Sequence, residues 1–152
     1  MVAGGDSRSE SVAAALETVD AEIVVVHDAA RPLVTAELID AVIDDLLADD
    51  EAGAVVAAAP VTDTIKEVAR GMEVDRTLDR TSLWAAQTPQ AFRADALREA
   101  LASTELLAQA TDDAMLVERL GGRVLIHPAS VENLKVTRPL DLRVAELLLA
   151  GR

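Results

Sequence analysis

The sequence predicts an α/β fold in which helices flank a mostly parallel sheet, because strand-like apolar runs alternate along the chain with segments of helical periodicity. The runs at residues 22–26 and 54–59 are continuous and rich in Val, Ile and Ala, which is typical of strands buried on both faces. Strands that are separated by helices imply right-handed crossovers. The predicted architecture is therefore Rossmann-like.

In the N-terminal half, helix caps and apolar spacing define the predicted elements. Asp6 or Ser7 caps a helix that runs to about residue 19, and a strand follows over residues 22–27. Thr35 caps a second helix, in which apolar residues recur at helical spacing. These residues are Leu38, Ile39, Val42, Ile43, Leu46 and Leu47.

The segment at about residues 62–82 is polar and irregular and contains a turn at Arg70 and Gly71, so it predicts a protruding β-hairpin arm. After the arm, Pro89 restricts Thr88 to an extended conformation. No repeat or interdomain linker is visible, so residues 1–152 are expected to form a single domain.

The C-terminal half contains predicted helices and one short strand. Helical periodicity covers residues 94–108. Thr111 caps the next helix, whose first turn carries two acids that the helix dipole favours, and Gly121 ends it. A short strand is predicted at residues 123–127, and Pro139 opens a final helix to about residue 149.

Composition excludes several classes of function. The net charge of −13 argues against non-specific binding of nucleic acid or anionic lipid. Trp84 and Phe92 are the only aromatic residues, so platforms for base stacking are lacking and the core must be aliphatic. No run reaches the ~20 apolar residues of a membrane helix. The absence of cysteine fits a cytoplasmic protein.

The strand at residues 22–27 ends in a charged motif. Asp28, Arg31 and Pro32 follow directly, and ligands in open α/β sheets bind beyond the carboxyl ends of the strands. Asp28 and Arg31 therefore lie where a site is expected. Without further motifs, capping of the next turn explains Asp28 equally well, and an Arg beside Pro on a surface loop is more often simply solvated.

Six motifs, in this order, resemble those of the 2-C-methyl-D-erythritol 4-phosphate cytidylyltransferase family: VAGGDSRSESVAAAL, VHDAARP, APVTDTIK, TLDRTSLWAAQTPQAF, ATDDAMLVE and NLKVTRPLDL. The resemblance runs from end to end of the chain. Family members begin with a strand and a glycine-rich loop that wraps the triphosphate, and Gly4 and Gly5 do not match that loop. The chain thus resembles the C-terminal two-thirds of the enzyme, and the N-terminal part of the fold is expected to be absent.

The resemblance implies a reaction between CTP and 2-C-methyl-D-erythritol 4-phosphate. It gives 4-diphosphocytidyl-2-C-methyl-D-erythritol and pyrophosphate, in the non-mevalonate route to isoprenoid precursors. The implied cofactor is Mg²⁺ or another divalent cation. The implied assembly is a homodimer formed through the hairpin arm, with no nucleic acid and no membrane as partner.

The resemblance also assigns roles to individual residues. The nucleotide site would contain Gly5, Asp6, Ser11, Asp28 and Lys135. The sugar-phosphate site would contain Ala29, Arg31, Thr64, Arg80, Thr88 and Thr111, with Thr64 and Arg80 reaching the partner subunit's pocket. Lys135, Asp28 and Arg80 would carry catalysis, and Asp28 is the candidate metal ligand. For Arg8, Lys66 and Arg138 the expected duty is structural, or support of the residues that contact substrate.

Alternative functions stay open on the sequence. One is a catalytically incompetent, truncated module that keeps dimerisation and sugar-phosphate binding but does not hold the triphosphate. Another is a cytidylyltransferase for a different pentitol phosphate, because the residue pattern does not determine which hydroxyl groups the pocket recognises.

Overall fold

The computed structural model describes residues 1–102 and 112–151, and these ranges contain both helices and strands. The helices are α1 (Arg8–Leu16), α2 (Ala36–Ala48), α3 (Ala94–Ala102), α4 (Asp113–Arg119) and α5 (Pro139–Ala150). The strands are β1 (Ile23–Val26), β2 (Ala52–Pro60), β3 (Lys66–Val68), β4 (Val74–Thr77), β5 (Trp84–Arg93) and β6 (Arg123–Pro128). The predicted α/β class is confirmed.

Within the described residues, the main sheet has the strand order β1-β5-β2-β6. β1, β2 and β6 point in one direction, and β5 lies antiparallel between β1 and β2. The sequence indicated only an extended conformation near Thr88, so it missed β5 as a central strand. The hairpin arm connects β2 to β5 and reverses the direction of the chain, so β5 runs antiparallel to β2. A parallel neighbour would need a crossover connection instead.

Aliphatic side chains fill both faces of the sheet. Alternate residues of β2 point to opposite faces, so Ala54 and Val56 pack with α1, α3 and α4, while Val55 and Ala57 pack with α2. Phe92 of β5 joins the first of these clusters and is fully buried. The burial of β2 on both faces agrees with its continuous apolar run.

Most predicted helix caps are confirmed. Ser7 caps α1 in a capping box with Glu10, and the Thr35 hydroxyl accepts the Leu38 N–H at 3.3 Å. The predicted cap at Thr111 is wrong, because Asp112 is the N-cap of α4 and its carboxylate accepts the Met115 N–H at 2.9 Å. Thr111 itself lies outside the described residues.

The other predicted helix boundaries agree with the structure to within a few residues. α1 ends at Leu16 rather than near residue 19, and α3 is described as far as Ala102. Gly121 follows the end of α4 with a φ of +83°, which glycine adopts without strain. Pro139 opens α5 as expected. No helix in the described ranges has the length and hydropathy of a bilayer-spanning segment.

The predicted hairpin is present between β2 and β5. In the described chain β3 and β4 pair with each other in a separate sheet, and all their residues are exposed. The Lys66 ammonium donates a hydrogen bond to the Thr77 hydroxyl at 2.6 Å, across the two strands. Gly71 makes the turn with a φ of +81°. Lys66 therefore supports the arm, in line with its expected structural duty.

The two aromatic residues provide a test of the packing on one strand. Phe92 is 0% exposed, whereas Trp84 is 41% exposed. Replacing Phe92 with Ala should destabilise the fold by about 3–5 kcal/mol, because buried contacts are lost and a cavity remains. The Trp84→Ala variant is the matched control and should cost much less. Urea unfolding of both variants measures the difference, and similar losses would contradict this account of the core.

Candidate functional site

A cleft of about 280 Å³ lies beyond the carboxyl end of β1, where the sequence predicted a site. Its walls come from α1, the turn after β1, the first half of β5, the start of α4 and the loop after β6. The side chains that line it are those of Arg8, Asp28, Arg31, Gln87, Thr88, Gln90, Asp112 and Lys135, together with Ala86. The cleft is thus strongly charged, with cations from separate elements.

Asp28 is the point at which these cations meet. Its Oδ2 lies 2.9 Å from Lys135 Nζ and 4.0 Å from Arg31 Nε, and its Oδ1 lies 3.5 Å from Arg8 Nε. Its side chain is only 18% exposed. A carboxylate in this position links α1, the turn after β1 and the loop after β6.

The electrostatic environment keeps both Asp28 and Arg31 charged. Burial by itself raises the pKa of Asp28, but the hydrogen bond and charge of Lys135, with the charges of Arg8 and Arg31, bring that pKa below its usual value. Burial lowers the pKa of Arg31, and the charge of Asp28 opposes this shift. The ordinary pKa of arginine is so high that Arg31 remains a cation despite this shift.

Arg8 forms a second ion pair behind the cleft wall. Its Nη1 lies 2.6 Å from Oδ2 of Asp113, a carboxylate whose side chain is 0% exposed. Burial raises the pKa of Asp113, and the nearby charge of Arg8 opposes the shift. Among the described residues, Asp113 Oδ1 has no hydrogen-bond partner. Arg8 is therefore shared between a cleft carboxylate and a buried one.

A bulge in β5 delivers neutral polar groups to the cleft. Gln90 and Ala86 lie opposite β2 residues that are two positions apart, so Gln87, Thr88 and Pro89 stand opposite a single residue. Pro89 has no N–H for a ladder and fits only at such an irregularity. The bulge frees Gln87 and Thr88 from regular pairing, and the Thr88 hydroxyl accepts the Asp28 N–H at 3.0 Å.

Hydrogen bonds fasten the loop of Lys135 to the turn of Asp28. The Val136 N–H donates to the Ala30 carbonyl at 2.7 Å, and Arg31 Nη1 donates to the Asn133 carbonyl at 2.8 Å. The Asn133 amide in turn donates to the Thr88 carbonyl at 2.8 Å. The position of Lys135 is therefore set by backbone contacts as well as by its ion pair.

The structure brings together some of the residues that the sequence assigned to a site. Asp28, Arg31, Thr88 and Lys135 all line the cleft. Ala29 lies exposed in the turn after β1. The roles assigned to these residues remain predictions.

Other assigned residues lie elsewhere on the described chain. Gly5 and Asp6 precede α1, and the Gly5 N–H donates to the Ser11 hydroxyl at 3.0 Å. Thr64 and Arg80 are exposed at the base of the arm, where Arg80 Nη1 donates to the Thr62 carbonyl at 2.6 Å. Within the described part of one chain these residues do not line the cleft. Thr111 lies outside the described residues.

Sequence reasoning missed several lining residues. Arg8, for which a structural or supporting duty was expected, lines the cleft directly, as do Gln87, Gln90 and Asp112. The Arg8–Asp113 pair joins positions 105 residues apart, so no local pattern reveals it. The polar QTPQ stretch between apolar residues is the local signal that could have pointed to Gln87 and Gln90.

The described residues contain no cluster of three or more side chains suited to hold a metal ion. Asp28 is ionised and faces the cleft, and Mg²⁺ commonly takes only one or two protein carboxylates when phosphates supply other ligands. Asp28 therefore fits a metal that arrives with a phosphorylated substrate, and the cleft does not form a metal centre by itself.

The fold and the cleft define an α/β domain with a charged, cation-rich cleft at the carboxyl edge of its parallel strands. The model of the family described as 2-C-methyl-D-erythritol 4-phosphate cytidylyltransferase matches residues 1–151. The chain belongs to this family.

Individual relatives agree with this assignment. The chain is 49% identical to the 2-C-methyl-D-erythritol 4-phosphate cytidylyltransferase of Symbiobacterium thermophilum, over 98% of this chain and 63% of the relative. The crystal structure of the Thermus thermophilus enzyme of that name superposes with a TM-score of 0.84 at 38% identity, covering 98% of this chain and 72% of that one. The Anaerococcus prevotii 4-diphosphocytidyl-2C-methyl-D-erythritol synthase gives a TM-score of 0.87 at 30% identity, covering 98% of this chain and 69% of that one.

The chain is shorter than its relatives. It spans between 56% and 65% of the lengths of the first curated relatives that it matches.

The two carboxylates near Arg8 should affect stability with opposite pH dependence. The pKa of Asp28 is lowered on folding, so its contribution is present above the unfolded value of about 3.9 and is lost as the pH falls through the folded value. The pKa of Asp113 is raised on folding, so its contribution is largest at low pH and declines as the pH rises above about 3.9.

Denaturant unfolding between pH 3 and 7 tests this with Asp28→Asn and Asp113→Asn, each compared with the wild type. Acidification should shrink the advantage of the wild type over Asp28→Asn and should increase its stability relative to Asp113→Asn. Because each comparison cancels the other carboxyl groups, two parallel trends would contradict the opposite shifts.

Proposed function

We propose that this chain carries out, or forms the larger part of an enzyme that carries out, cytidylyl transfer from CTP to 2-C-methyl-D-erythritol 4-phosphate. A phosphate oxygen of the sugar phosphate attacks the α-phosphorus of CTP, the bond to the β-phosphate breaks, and pyrophosphate leaves. The observation that carries the proposal is the meeting of Arg8, Arg31 and Lys135 at Asp28, in a chain of this family.

Catalysis of this reaction depends on position and charge. The displacement needs no covalent bond to the protein, so the protein contributes by aligning the reactants and neutralising developing charge. Lys135 suits this role because its side chain is 45% exposed and lies at the mouth of the cleft. Its ammonium is a point charge on a flexible side chain, so it can stay in contact with a phosphate group that moves during the reaction.

Asp28 prepares the cleft before substrate binds. The negative charge of its carboxylate balances the positive charges of Arg8, Arg31 and Lys135. Without it these cations would repel each other and turn towards solvent. When a phosphate enters, its oxygens become the partners of Lys135 and Arg31, and Asp28 is then free to hold a divalent cation. The net charge of −13 makes such a local cationic site necessary for an anionic substrate.

A divalent cation, most simply Mg²⁺, completes the proposed site. Asp28 would hold it, and when bound it neutralises charge on the phosphate oxygens. The cations of the chain act alongside it by orienting the sugar phosphate.

The hairpin arm is proposed to reach a second copy of the chain. Its strands are fully exposed, and Thr64 and Arg80 at its base are exposed outside the cleft of their own chain. A homodimer would bring them to the partner's cleft, where the Arg80 guanidinium would bind the sugar phosphate.

The cleft of about 280 Å³ matches a small phosphorylated polyol better than a whole nucleotide.

Pyrophosphate release from CTP and methylerythritol phosphate with Mg²⁺ tests the function. The sequence has only two lysines, so they form a matched pair. Lys135→Ala should lower kcat by about 10²–10³-fold, the loss expected when a stabiliser of developing charge is removed. Lys66→Ala, on the arm, should leave kcat nearly unchanged. Binding of methylerythritol phosphate without pyrophosphate release would instead identify a binding module.

Replacing Arg80 with Ala tests the shared pocket. The KM for methylerythritol phosphate should rise by about ten- to a hundredfold, as expected for a lost charged hydrogen bond. Arg76→Ala is the control, because Arg76 lies on the same arm and pairs with Glu67. Mixing Arg80→Ala with Lys135→Ala chains should restore activity above that of either variant, since one pocket of a mixed dimer is intact. A mixture with no gain would place both residues in one chain's site.

A further inference from the structure

We propose that His27 is a positioning residue for the cleft, and that its imidazole joins the β5 bulge to the turn that carries Asp28 and Arg31. The role of this cleft in catalysis rests on the proposed function. The geometry of the histidine does not, because it is set by contacts within the described chain.

The imidazole bridges two walls of the cleft. Its Nε2 lies 3.1 Å from the Arg31 carbonyl oxygen, and its Nδ1 lies 3.0 Å from the Thr88 hydroxyl. That hydroxyl also accepts the Asp28 N–H at 3.0 Å, and the Arg31 N–H donates to the Asp28 carbonyl at 2.9 Å. The contacts close a loop of hydrogen bonds through His27, Thr88 and the Asp28–Arg31 turn.

The partners fix where the protons lie. A carbonyl oxygen only accepts, so Nε2 of His27 carries the hydrogen that binds the Arg31 carbonyl. In a neutral ring Nδ1 is then an acceptor, and the Thr88 O–H donates to it. Thr88 still accepts the Asp28 N–H, so each donor in the loop meets one acceptor. For the neutral ring, these hydrogen-bond partners assign the Nε2–H tautomer to His27.

This arrangement controls the groups that bind phosphate. The side chain of Arg31 is only 11% exposed and has little room to move, so the position of its guanidinium depends on the position of its backbone. A displacement of about 1 Å in a positioning group can cost about 10²-fold in rate. Loss of the imidazole would release the turn from the bulge, although none of its atoms needs to touch a substrate.

The tautomer is tested first, on the ligand-free wild-type chain. Nitrogen NMR of the His27 ring at pH 8 should show a protonated Nε2 and an unprotonated Nδ1. Hydrogen exchange of the Asp28 amide should become at least tenfold faster in His27→Ala, because Thr88 loses its anchor. A protonated Nδ1, or an unchanged exchange rate, would overturn the proposal. These readouts hold even if the chain shows no turnover, which would count against the proposed function alone.

Substitutions then separate the two hydrogen bonds. His27→Asn keeps a polar group near the position of Nδ1, and His27→Gln keeps one near Nε2, so each should lower kcat/KM about tenfold. His27→Ala should lower it about a hundredfold. The other histidine of the sequence supplies the control: His127 pairs with Asp45 at 2.7 Å outside the cleft, so His127→Asn should keep wild-type kcat/KM. A folded His27→Ala variant with kcat/KM within twofold of wild type would refute the role.

Discussion

The ion pairs at Asp28 are the interaction on which the rest of the site depends. Arg8, Arg31 and Lys135 come from different elements, and cations brought this close repel one another unless a carboxylate compensates them. Asp28 is suited to this because its pKa is lowered, so it stays ionised wherever the protein is folded near neutral pH. In the proposed reaction a phosphate, which carries more negative charge than a carboxylate, replaces Asp28 as the partner of these cations.

The fold brings these charged groups together at one edge of the main sheet. β1 and β6 end at the same edge, which brings the turn of Asp28 and the loop of Lys135 together. β5 runs the other way, so its first half, with the bulge at Thr88, reaches this edge as well. Chain direction and one bulge thus place charged and neutral polar groups around a common space. An aliphatic core holds the strands, because small residues on both faces of β2 let the helices pack closely.

Local chemistry explains what could be predicted from the sequence. Helix ends depend on the capping residue itself and on a few neighbours in the sequence. A short stretch of sequence is therefore enough to predict the helix ends at Ser7, Thr35, Gly121 and Pro139. The position of Asp28 beyond a strand was equally local. Arg8 was misjudged because its partner Asp113 is 105 residues away. The same limit applies to β5, since an antiparallel strand in an α/β sheet is decided by pairing with β1 and β2.

The pair of carboxylates on Arg8 shows how the fold tunes its own charges. Asp28 and Asp113 have the same side chain and share one guanidinium, yet their pKa values move in opposite directions. The difference lies in the surroundings: Asp28 has Lys135 and Arg31 as further partners, whereas Asp113 is fully buried and has one oxygen without a partner among the described residues. Of the two, Asp113 is the easier to neutralise. The charge that Arg8 presents at the cleft wall therefore depends on the ionisation of a buried carboxylate as well as on that of Asp28.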